Sequence, residues 1–131
     1  MEQFQIREMR ETDIAQVEAI EREIFSVPWS EKSFLSACTT PENIYLVCLA
    51  GEEVAGYCGL WSVLGEGNIT NMAVAEKYRR NGVAEALMKE MENLSGVAIP
   101  APIRGIETRE IRHKNVCEKD GIADFVKGWL L

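Results

Sequence analysis

The chain has 131 residues, of which 47% are hydrophobic and 27% charged, with a formal net charge of −7. These values predict one domain with a single core and exclude a disordered, collagen-like or disulfide-stapled protein. The negative charge argues against general nucleic-acid binding, and no apolar run approaches the ~18–20 residues of a membrane span. Without an export signal or a CxxC pair among the four cysteines, we expect a cytoplasmic protein with reduced thiols.

The charges are divided unevenly along the chain. Residues 1–66 carry 12 acidic and 4 basic side chains, whereas residues 67–131 carry 9 acidic and 10 basic ones. This division suits a cationic partner on the first part and an anionic ligand on the second. A solubilising surface with an accidental asymmetry is the alternative.

The first third of the chain predicts one strand and two helices. Residues 4–7 alternate between apolar and polar, which is typical of a strand. A helix is predicted from Asp13, because a glutamine three residues later completes a capping-box pattern and apolar residues recur at helical spacing. Pro28 ends this region, and Ser30 is a suitable N-cap for a second helix over residues 31–38.

The middle of the chain predicts three strands. Residues 44–50 and 54–64 form β-rich runs joined by a short glycine-containing connection, which indicates a hairpin. Gly56 and Gly59 inside the second run predict a bulge or a close approach of another backbone. Residues 69–74 form the next predicted strand.

The remaining elements are less regular. Residues 65–67 are expected to form a turn. A helix with one apolar stripe, which includes Ala84, Leu87, Met88 and Met91, is predicted after the strand over residues 69–74. Beyond residue 94 we expect a short strand over 107–112 and a short apolar element over 125–131. The order βααβββα predicts an α+β sheet with helices packed on it.

The sharpest local motif is Tyr-Arg-Arg-Asn-Gly-Val-Ala at residues 78–84, between a predicted strand and a predicted helix. The N–H groups at a helix start favour anions, and Gly82 lets phosphate oxygens approach the backbone. Arg79 and Arg80 add positive charge, and Ala84 keeps the first turn thin. The alternative is an ordinary capped helix with exposed arginines.

Other chemical motifs are weak or absent in the sequence. There is no GxxxxGK[ST] loop, and Gly65 and Gly67 precede a strand rather than a helix. The single histidine, His113, and the scattered cysteines predict no metal site. Nothing marks Cys117, four residues after His113, as an activated nucleophile. The other three cysteines, Cys38, Cys48 and Cys58, are expected to be core or half-buried thiols.

Residues 69–74 followed by residues 77–84 resemble the acetyl-CoA-binding motif of the GNAT N-acetyltransferases. Residues 25–34 resemble the substrate-side segment of the RimI type, the ribosomal-protein-alanine N-acetyltransferases. The resemblance extends over residues 1–94. It implies a mixed, mostly antiparallel GNAT-like sheet flanked by helices.

The resemblance also implies a cofactor site and an acceptor site. Acetyl-CoA would be the acetyl donor, with its pantetheine arm held by Met72, Ala73 and Val74. The pyrophosphate and its surroundings would be contacted by Arg79, Arg80, Asn81, Gly82, Val83, Ala84 and Glu85, with Asn115 as a further contact. The acceptor side would include Pro28, Trp29, Ser30 and Glu31.

The reaction implied is acetyl transfer to the N-terminal amine of a protein, expected to be a ribosomal protein. That amine has a pKa of about 7.7–8.0 and must lose a proton before it attacks the thioester. Glu110 matches the general base of the family. A solvated strand carboxylate is the alternative for Glu110, and a core anchor is the alternative for Trp29.

The last third of the chain departs from the family pattern. The residues of one helix are missing after Asn115, and Cys117 stands where the family has the tyrosine that protonates the departing thiolate. We therefore expect a single GNAT domain over residues 1–131, well matched over 1–94 and divergent or truncated over 95–131. The sequence predicts no oligomeric state.

Three functions remain compatible with these observations. The first is an active protein N-terminal acetyltransferase, and the second is a GNAT enzyme that acts on a small amine. The third is a catalytically impaired remnant that binds acyl-CoA. Residues 28–31 favour the first over the second.

Overall fold

The computed structural model describes residues 4–25, 27–63, 66–96 and 110–115; for 62, 63, 66–70 and 110–115 it describes the backbone. Within these residues, five strands follow one another across a single sheet in chain order: β1 (Phe4–Glu8), β2 (Asn43–Ala50), β3 (Glu53–Val63), β4 (Glu66–Val74) and β5 (Glu110–Asn115). The α-helices of the same part of the chain are α1 (Ile14–Ile24), α2 (Glu31–Cys38) and α3 (Val83–Ser95). The predicted α+β class and the order of elements up to α3 are confirmed.

All four strand pairings of the described sheet are antiparallel. The sheet is therefore antiparallel throughout the part of the chain that the structure describes, where the resemblance implies a mixed sheet. Two irregularities interrupt the ladders, one on β3 at Ala55 and one on β4 at Thr70, where an extra residue enters the register. Gly56 and Gly59 each lie beside one of them, as the sequence predicts.

Helices cover both faces of the sheet. The pair α1 and α2 packs on one face and α3 on the other, which explains why residues 45–49 of β2 are buried without alternation. The face under α1 and α2 includes Val17, Ile20, Phe34, Tyr45, Val47, Leu49, Tyr57 and Ala73. The face under α3 includes Leu46, Cys48, Cys58, Leu60, Met72, Val74, Leu87, Met88 and Met91.

The start of α1 differs from the prediction. The Asp13 side chain does not cap α1, and a 3-10 turn at Glu11–Asp13 precedes that helix. Its carboxylate accepts two hydrogen bonds from the Arg7 guanidinium, at 2.7 and 2.8 Å, and one from the Arg10 N–H. The Gln16 side chain instead reaches the start of β3, where its oxygen accepts from the Val54 N–H. The predicted capping box is wrong, because the Asp13 carboxylate binds Arg7 of β1 and the Arg10 N–H, and the Gln16 oxygen binds β3.

Two strand boundaries also differ. β4 begins at Glu66, so Glu66 and Gly67 belong to a strand and not to the predicted turn. β5 covers Glu110–Asn115, three residues later than the strand predicted over 107–112. The apolar element predicted over 125–131 lies outside the described residues. The N-cap prediction for α2 is confirmed, because the Ser30 Oγ accepts from the Ser33 N–H at 3.1 Å.

Gly56 sets how closely α3 approaches the sheet. A Cβ atom at this position would lie 2.9 Å from the Ala73 carbonyl oxygen and 3.0 Å from Cγ1 of Val83. Such distances are shorter than van der Waals contact, so a larger residue would push Val83 away from β3 and strain the pairing of β3 with β4. The glycine therefore allows the first turn of α3 to lie against β3, beside the end of β4.

None of the helices in the described ranges has both the length and the apolar character of a membrane-spanning helix.

Candidate active site

The segment between β4 and α3 forms a tight loop with two residues in the left-handed backbone region. A 3-10 turn at Glu76–Tyr78 leaves β4, and Arg80 (φ 68°) and Gly82 (φ 76°) then turn the chain into α3. A non-glycine residue in this region is uncommon, so the conformation of Arg80 must be held by its surroundings. The loop delivers the N-terminus of α3 to the end of β4.

Side-chain hydrogen bonds hold this loop together. The Asn81 Nδ2 donates to the carbonyl oxygens of Tyr78 and Arg79, at 3.1 and 3.0 Å. The Nε of Arg79 donates to the Val74 carbonyl at 3.2 Å, and thereby ties the loop back to the last residue of β4. Arg80 is exposed. The two arginines that the sequence assigns to one anion site therefore differ in role, since Arg79 braces the loop while Arg80 projects into solvent.

The start of α3 has the shape of an anion cradle. Gly82 is its N-cap, and the N–H groups of the first turn of any helix lack a carbonyl partner within the helix. A Cβ built on Gly82 meets no atom within 4 Å, so the space beside this backbone is open. A phosphate at this place would face the positive end of the helix. The assignment of residues 79–85 to a pyrophosphate stays a prediction.

The outer edge of β4 is paired with β5. Met72 lies opposite Ile111 and Ala73 opposite Glu110, and hydrogen bonds join the two strands. The register brings the backbone of Glu110 to two of the residues assigned to the pantetheine arm. Asn115 lies opposite Asn68 at the other end of β5, about 17 Å along the strand. The structure thus brings Glu110 to the cofactor residues of β4 and places Asn115 away from them.

The segment assigned to the acceptor side, residues 28–31, connects α1 to α2. Pro28 and Trp29 are half-buried, whereas Ser30 and Glu31 are exposed at the start of α2. The Trp29 ring packs against Phe34 with a centroid distance of 5.4 Å and borders the core under α1 and α2. Trp29 therefore packs partly against the core, in agreement with the alternative role of a core anchor.

Sequence reasoning missed Glu21. This α1 residue is fully buried; its Oε1 accepts from the Tyr57 hydroxyl at 2.5 Å and its Oε2 from the Trp29 N–H at 2.9 Å. Buried carboxylates are rare unless they are hydrogen-bonded. The sequence contained a signal that Glu21 faces the core, since it lies four residues after Val17 and next to Ile20 in the apolar pattern of α1. It also precedes the Pro-Trp pair at residues 28–29 by seven residues.

An open cleft of about 600 Å³ lies between α1 and the loop after β4. It is lined by Gln16, Ala19, Ile20, Glu23, Glu53, Val54, Ala75, Glu76 and Lys77. The Lys77 Nζ is 2.6 Å from the Glu53 carboxylate, so one of the three glutamates already faces a cation. The cleft carries a net negative charge, because three glutamates and one lysine line it. Its lining includes Ala75, the residue that follows β4.

The cysteines of the described region are not a reactive or metal-binding set. Cys48 and Cys58 are buried and Cys38 is half-buried, which confirms the prediction for these three thiols. Burial raises the pKa of Cys48 to about 11 and that of Cys58 to about 12. Within the described ranges, no cluster of three His, Cys, Asp or Glu residues could hold a metal ion. Cys117 lies outside these ranges.

The family assignment follows from comparison with known proteins. Residues 14–95, which include the β4–α3 loop, match the model of the Acetyltransferase (GNAT) family. The chain belongs to the GNAT family.

Individual relatives support a more specific likeness. A Bacillus subtilis protein named "Putative ribosomal protein bS18-alanine N-acetyltransferase" is 37% identical over 68% of this chain and 60% of its own length. The crystal structure of the ribosomal-protein-S18-alanine N-acetyltransferase from Escherichia coli matches with a TM-score of 0.64 and 26% identity, over 70% of this chain and 59% of that one. The match thus spans about three-fifths of the length of these relatives.

A third comparison concerns the fold alone. The PaiA N-acetyltransferase from Thermoplasma acidophilum, solved in complex with coenzyme A, matches with a TM-score of 0.65 and 14% identity over 72% of each chain. The GNAT backbone arrangement is therefore shared between this chain and a protein that binds coenzyme A.

Proposed function

We propose that this chain transfers an acetyl group from acetyl-CoA to the N-terminal amine of a protein. The donor half is supported by the β4–α3 loop, where Arg80 and Gly82 turn the chain into α3 and the space beside the Gly82 backbone is open. Membership of the GNAT family makes acetyl-CoA the donor that this cradle would bind. Residues 79–85 would contact the pyrophosphate, and residues 72–74 would border the pantetheine arm.

A protein acceptor is supported by the relatives and by charge. Two of the relatives carry names that specify the alanine of a ribosomal protein as the acetylated residue. The acidic cleft beside α1 suits a cationic acceptor, and ribosomal proteins with basic N-terminal tails are of that kind. We therefore propose a ribosomal protein N-terminus as substrate, which would place the reaction in the cytoplasm.

The chemistry requires one proton acceptor on this chain. The amine nitrogen forms the new C–N bond with the thioester carbon, its proton leaves, and the C–S bond breaks to release the CoA thiolate. Glu110 is the proposed base because its backbone lies opposite Ala73, beside the strand edge that would border the thioester. Solvent would protonate the thiolate, since a free thiol has a pKa of about 8.5 and is a moderate leaving group at neutral pH.

A second candidate function is favoured by one observation. β5 is hydrogen-bonded along the edge of β4 at Met72 and Ala73, the residues proposed for the pantetheine arm. A strand at this edge competes with the pantetheine arm for the same backbone, whereas the start of α3, proposed for the pyrophosphate, lies outside this pairing. Acyl-CoA held through its pyrophosphate, with the thioester not positioned for transfer, is therefore the alternative function.

One assay separates these candidates. The purified chain is incubated with acetyl-CoA and a basic peptide that starts with alanine, and the products are identified by mass spectrometry. Acetylation of the α-amine supports the proposal; the same peptide with a blocked N-terminus is the control. Acetylation of polyamines or aminoglycosides instead of the peptide would favour a small-amine enzyme. Binding of CoA in calorimetry without any product would favour the binding module.

A further inference from the structure

Glu21 is a fully buried ionisable residue that the proposed reaction does not use. It lies in the last part of α1, and its two carboxylate oxygens serve two donors from different parts of the chain. Tyr57, one donor, is fully buried in β3, while Trp29, the other, belongs to the segment between α1 and α2. The carboxylate therefore links three elements at one point.

Aromatic contacts close this link into a ring. The Trp29 ring lies 5.4 Å from Phe34, and Phe34 meets Tyr57 edge-on at 5.6 Å. The Trp29 side chain is thus held from one side by packing, and its backbone N–H is held from the other side by Glu21. Together these contacts determine where residues 28–31 lie relative to the sheet.

A carboxylate suits this position for a chemical reason. Both neighbours are donors, and an ionised carboxylate is an acceptor at both oxygens. An apolar side chain would leave the Trp29 N–H without this acceptor, and an unsatisfied buried donor is unfavourable. Packing alone does not require a charged group here, because burial of a carboxylate is itself unfavourable.

We propose that Glu21 is a positioning residue that fixes the backbone of residues 28–31 so that the protein N-terminus enters the site in a productive orientation. This inference rests on the proposed protein acceptor. It concerns the acceptor side, because neither contact of Glu21 reaches the donor loop at residues 79–85, and Tyr57, which lies opposite Ala73, is bound by Glu21 through its hydroxyl. Loss of Glu21 should therefore affect the peptide and spare acetyl-CoA.

Two variants of Glu21 separate positioning from packing. Glu21→Ala removes both acceptors. Glu21→Gln retains one acceptor for the Trp29 N–H, and its amide nitrogen can donate to the Tyr57 oxygen, because a hydroxyl is both donor and acceptor. Tyr57→Phe removes only the second contact. Glu18→Gln, on the same helix and paired with Arg22, is the surface control.

We expect Glu21→Ala to lower kcat/KM for the peptide by about 10- to 100-fold, the scale of a 1 Å misplacement. KM for acetyl-CoA and the CoA affinity in calorimetry should stay unchanged. Glu21→Gln should recover most of the loss, and Tyr57→Phe should fall between them. Met91→Ala, in the core on the opposite face under α3, provides a comparably destabilised chain without a change at residues 28–31.

Amide exchange of Trp29, measured by NMR, gives a second readout that needs no turnover. The Trp29 N–H should be protected in the wild type and in Glu21→Gln, and open in Glu21→Ala, while amides of α3 keep their protection. The inference is overturned if the Trp29 amide exchanges equally in all variants, or if peptide and CoA parameters fall together as in Met91→Ala. A wild type that acetylates no peptide would refute the proposed function, and the Trp29 amide would still decide whether Glu21 positions the segment.

Discussion

Ala73 and Glu110 lie opposite each other in the antiparallel register of β4 and β5. Opposite Cα atoms in such a ladder are about 4.5–5.5 Å apart, so the backbone of Glu110 is a direct neighbour of the edge assigned to the pantetheine arm. β4 ends one residue after Ala73, at Val74, and the Arg79 side chain binds the Val74 carbonyl and so joins this end of β4 to the loop that leads into α3. The proposed base and the proposed phosphate cradle therefore lie at one end of the sheet.

Replacement of Glu110 tests its assignment as the base. Glu110→Gln should lower kcat by about 10²–10⁴-fold, the usual contribution of general base catalysis, with unchanged CoA affinity. Lys114→Gln, on the same strand opposite Ile69, is the control and should keep full activity. Steady-state kinetics and calorimetry measure the two quantities. Equal activity of Glu110→Gln and Lys114→Gln would contradict the assignment.

Gly82 tests the phosphate cradle, and Gly96 provides a matched control. Both glycines have positive φ values (76° and 73°), both flank α3, and neither has an atom within 4 Å of a built Cβ. An L-residue should therefore destabilise either position similarly, by about 1 kcal/mol. Only Gly82→Asp also brings a negative charge to the helix N-terminus where phosphate would bind.

Calorimetric titration with CoA distinguishes the two variants. We expect Gly82→Asp to abolish measurable CoA binding and Gly96→Asp to bind as the wild type does. Thermal melting should show the larger loss of stability for Gly96→Asp, because a negative charge is favourable at the start of a helix and unfavourable at its end. If CoA binds both variants equally well, the pyrophosphate does not lie at the start of α3.

Competition for the β4 edge predicts an effect of ligand on β5. If the pantetheine arm adds to the edge at Met72 and Ala73, it displaces the backbone of β5 from that edge. Hydrogen exchange of residues 110–115 should then accelerate when CoA is added, while amides at the start of α3 become more protected. Adenosine diphosphate, which has a pyrophosphate and no pantetheine arm, should leave β5 unchanged. Faster exchange in β5 would favour the acyl-CoA-binding alternative, because it removes Glu110 from its place opposite Ala73. Slower exchange in β5 with CoA would show that ligand and strand bind together, as the role of Glu110 as base requires.

The Arg7–Asp13 pair predicts a pH dependence of stability. Burial of Asp13 opposes its ionisation, but hydrogen bonds from Arg7 and Arg10 and the charges of both arginines outweigh burial and lower the pKa of Asp13. Because the pKa of Asp13 is lower in the folded state, the stabilisation from its ionised carboxylate is complete above the pKa of an unfolded aspartate, about 3.9. This stabilisation is lost as the pH falls through the lowered pKa of the folded protein.

Asp13→Asn should therefore reduce the free energy of unfolding by about 1.5–3 kcal/mol at pH 7, the range for hydrogen bonds to charged groups. The difference from wild type should shrink below pH 4. Urea unfolding at several pH values measures it. Glu18→Gln, which breaks the exposed pair with Arg22, should change stability by at most about 0.5 kcal/mol. A difference for Asp13→Asn that is constant from pH 7 to pH 3 would exclude the ion pair as its cause.

The buried cysteines predict an order of chemical reactivity. With pKa values of about 11 and 12, Cys48 and Cys58 have almost no thiolate at pH 8 and lie inside the core under α3. Iodoacetamide should therefore modify Cys38 first and reach the two buried thiols only when the chain unfolds. Peptide mapping by mass spectrometry follows each site separately. Modification of Cys58 as fast as Cys38 in the native protein would contradict the packing of β3.

Local signals along the sequence determined most of the secondary structure and the position of the β4–α3 loop. Apolar periodicity identified α1 and α3, the Ser30 cap identified the start of α2, and the motif at residues 78–84 located the β4–α3 loop. Each of these depends on neighbours within about four residues, such as a capping oxygen or one turn of a helix. Helices, strands and helix ends can therefore be predicted from the sequence alone.

Tertiary structure alone decided which distant groups meet. The Asp13 carboxylate binds Arg7 and does not cap α1. The Glu21 carboxylate binds the Tyr57 hydroxyl, thirty-six residues away in the chain. β5 pairs with β4, so that Glu110 lies opposite Ala73. A hydrogen-bonding group accepts any partner of suitable chemistry, so the pairing depends on which elements the packed core brings together. A carboxylate in α1 has the same local pattern whether it faces solvent or the core, and only packing of α1 and α2 on the sheet makes Glu21 a buried acceptor.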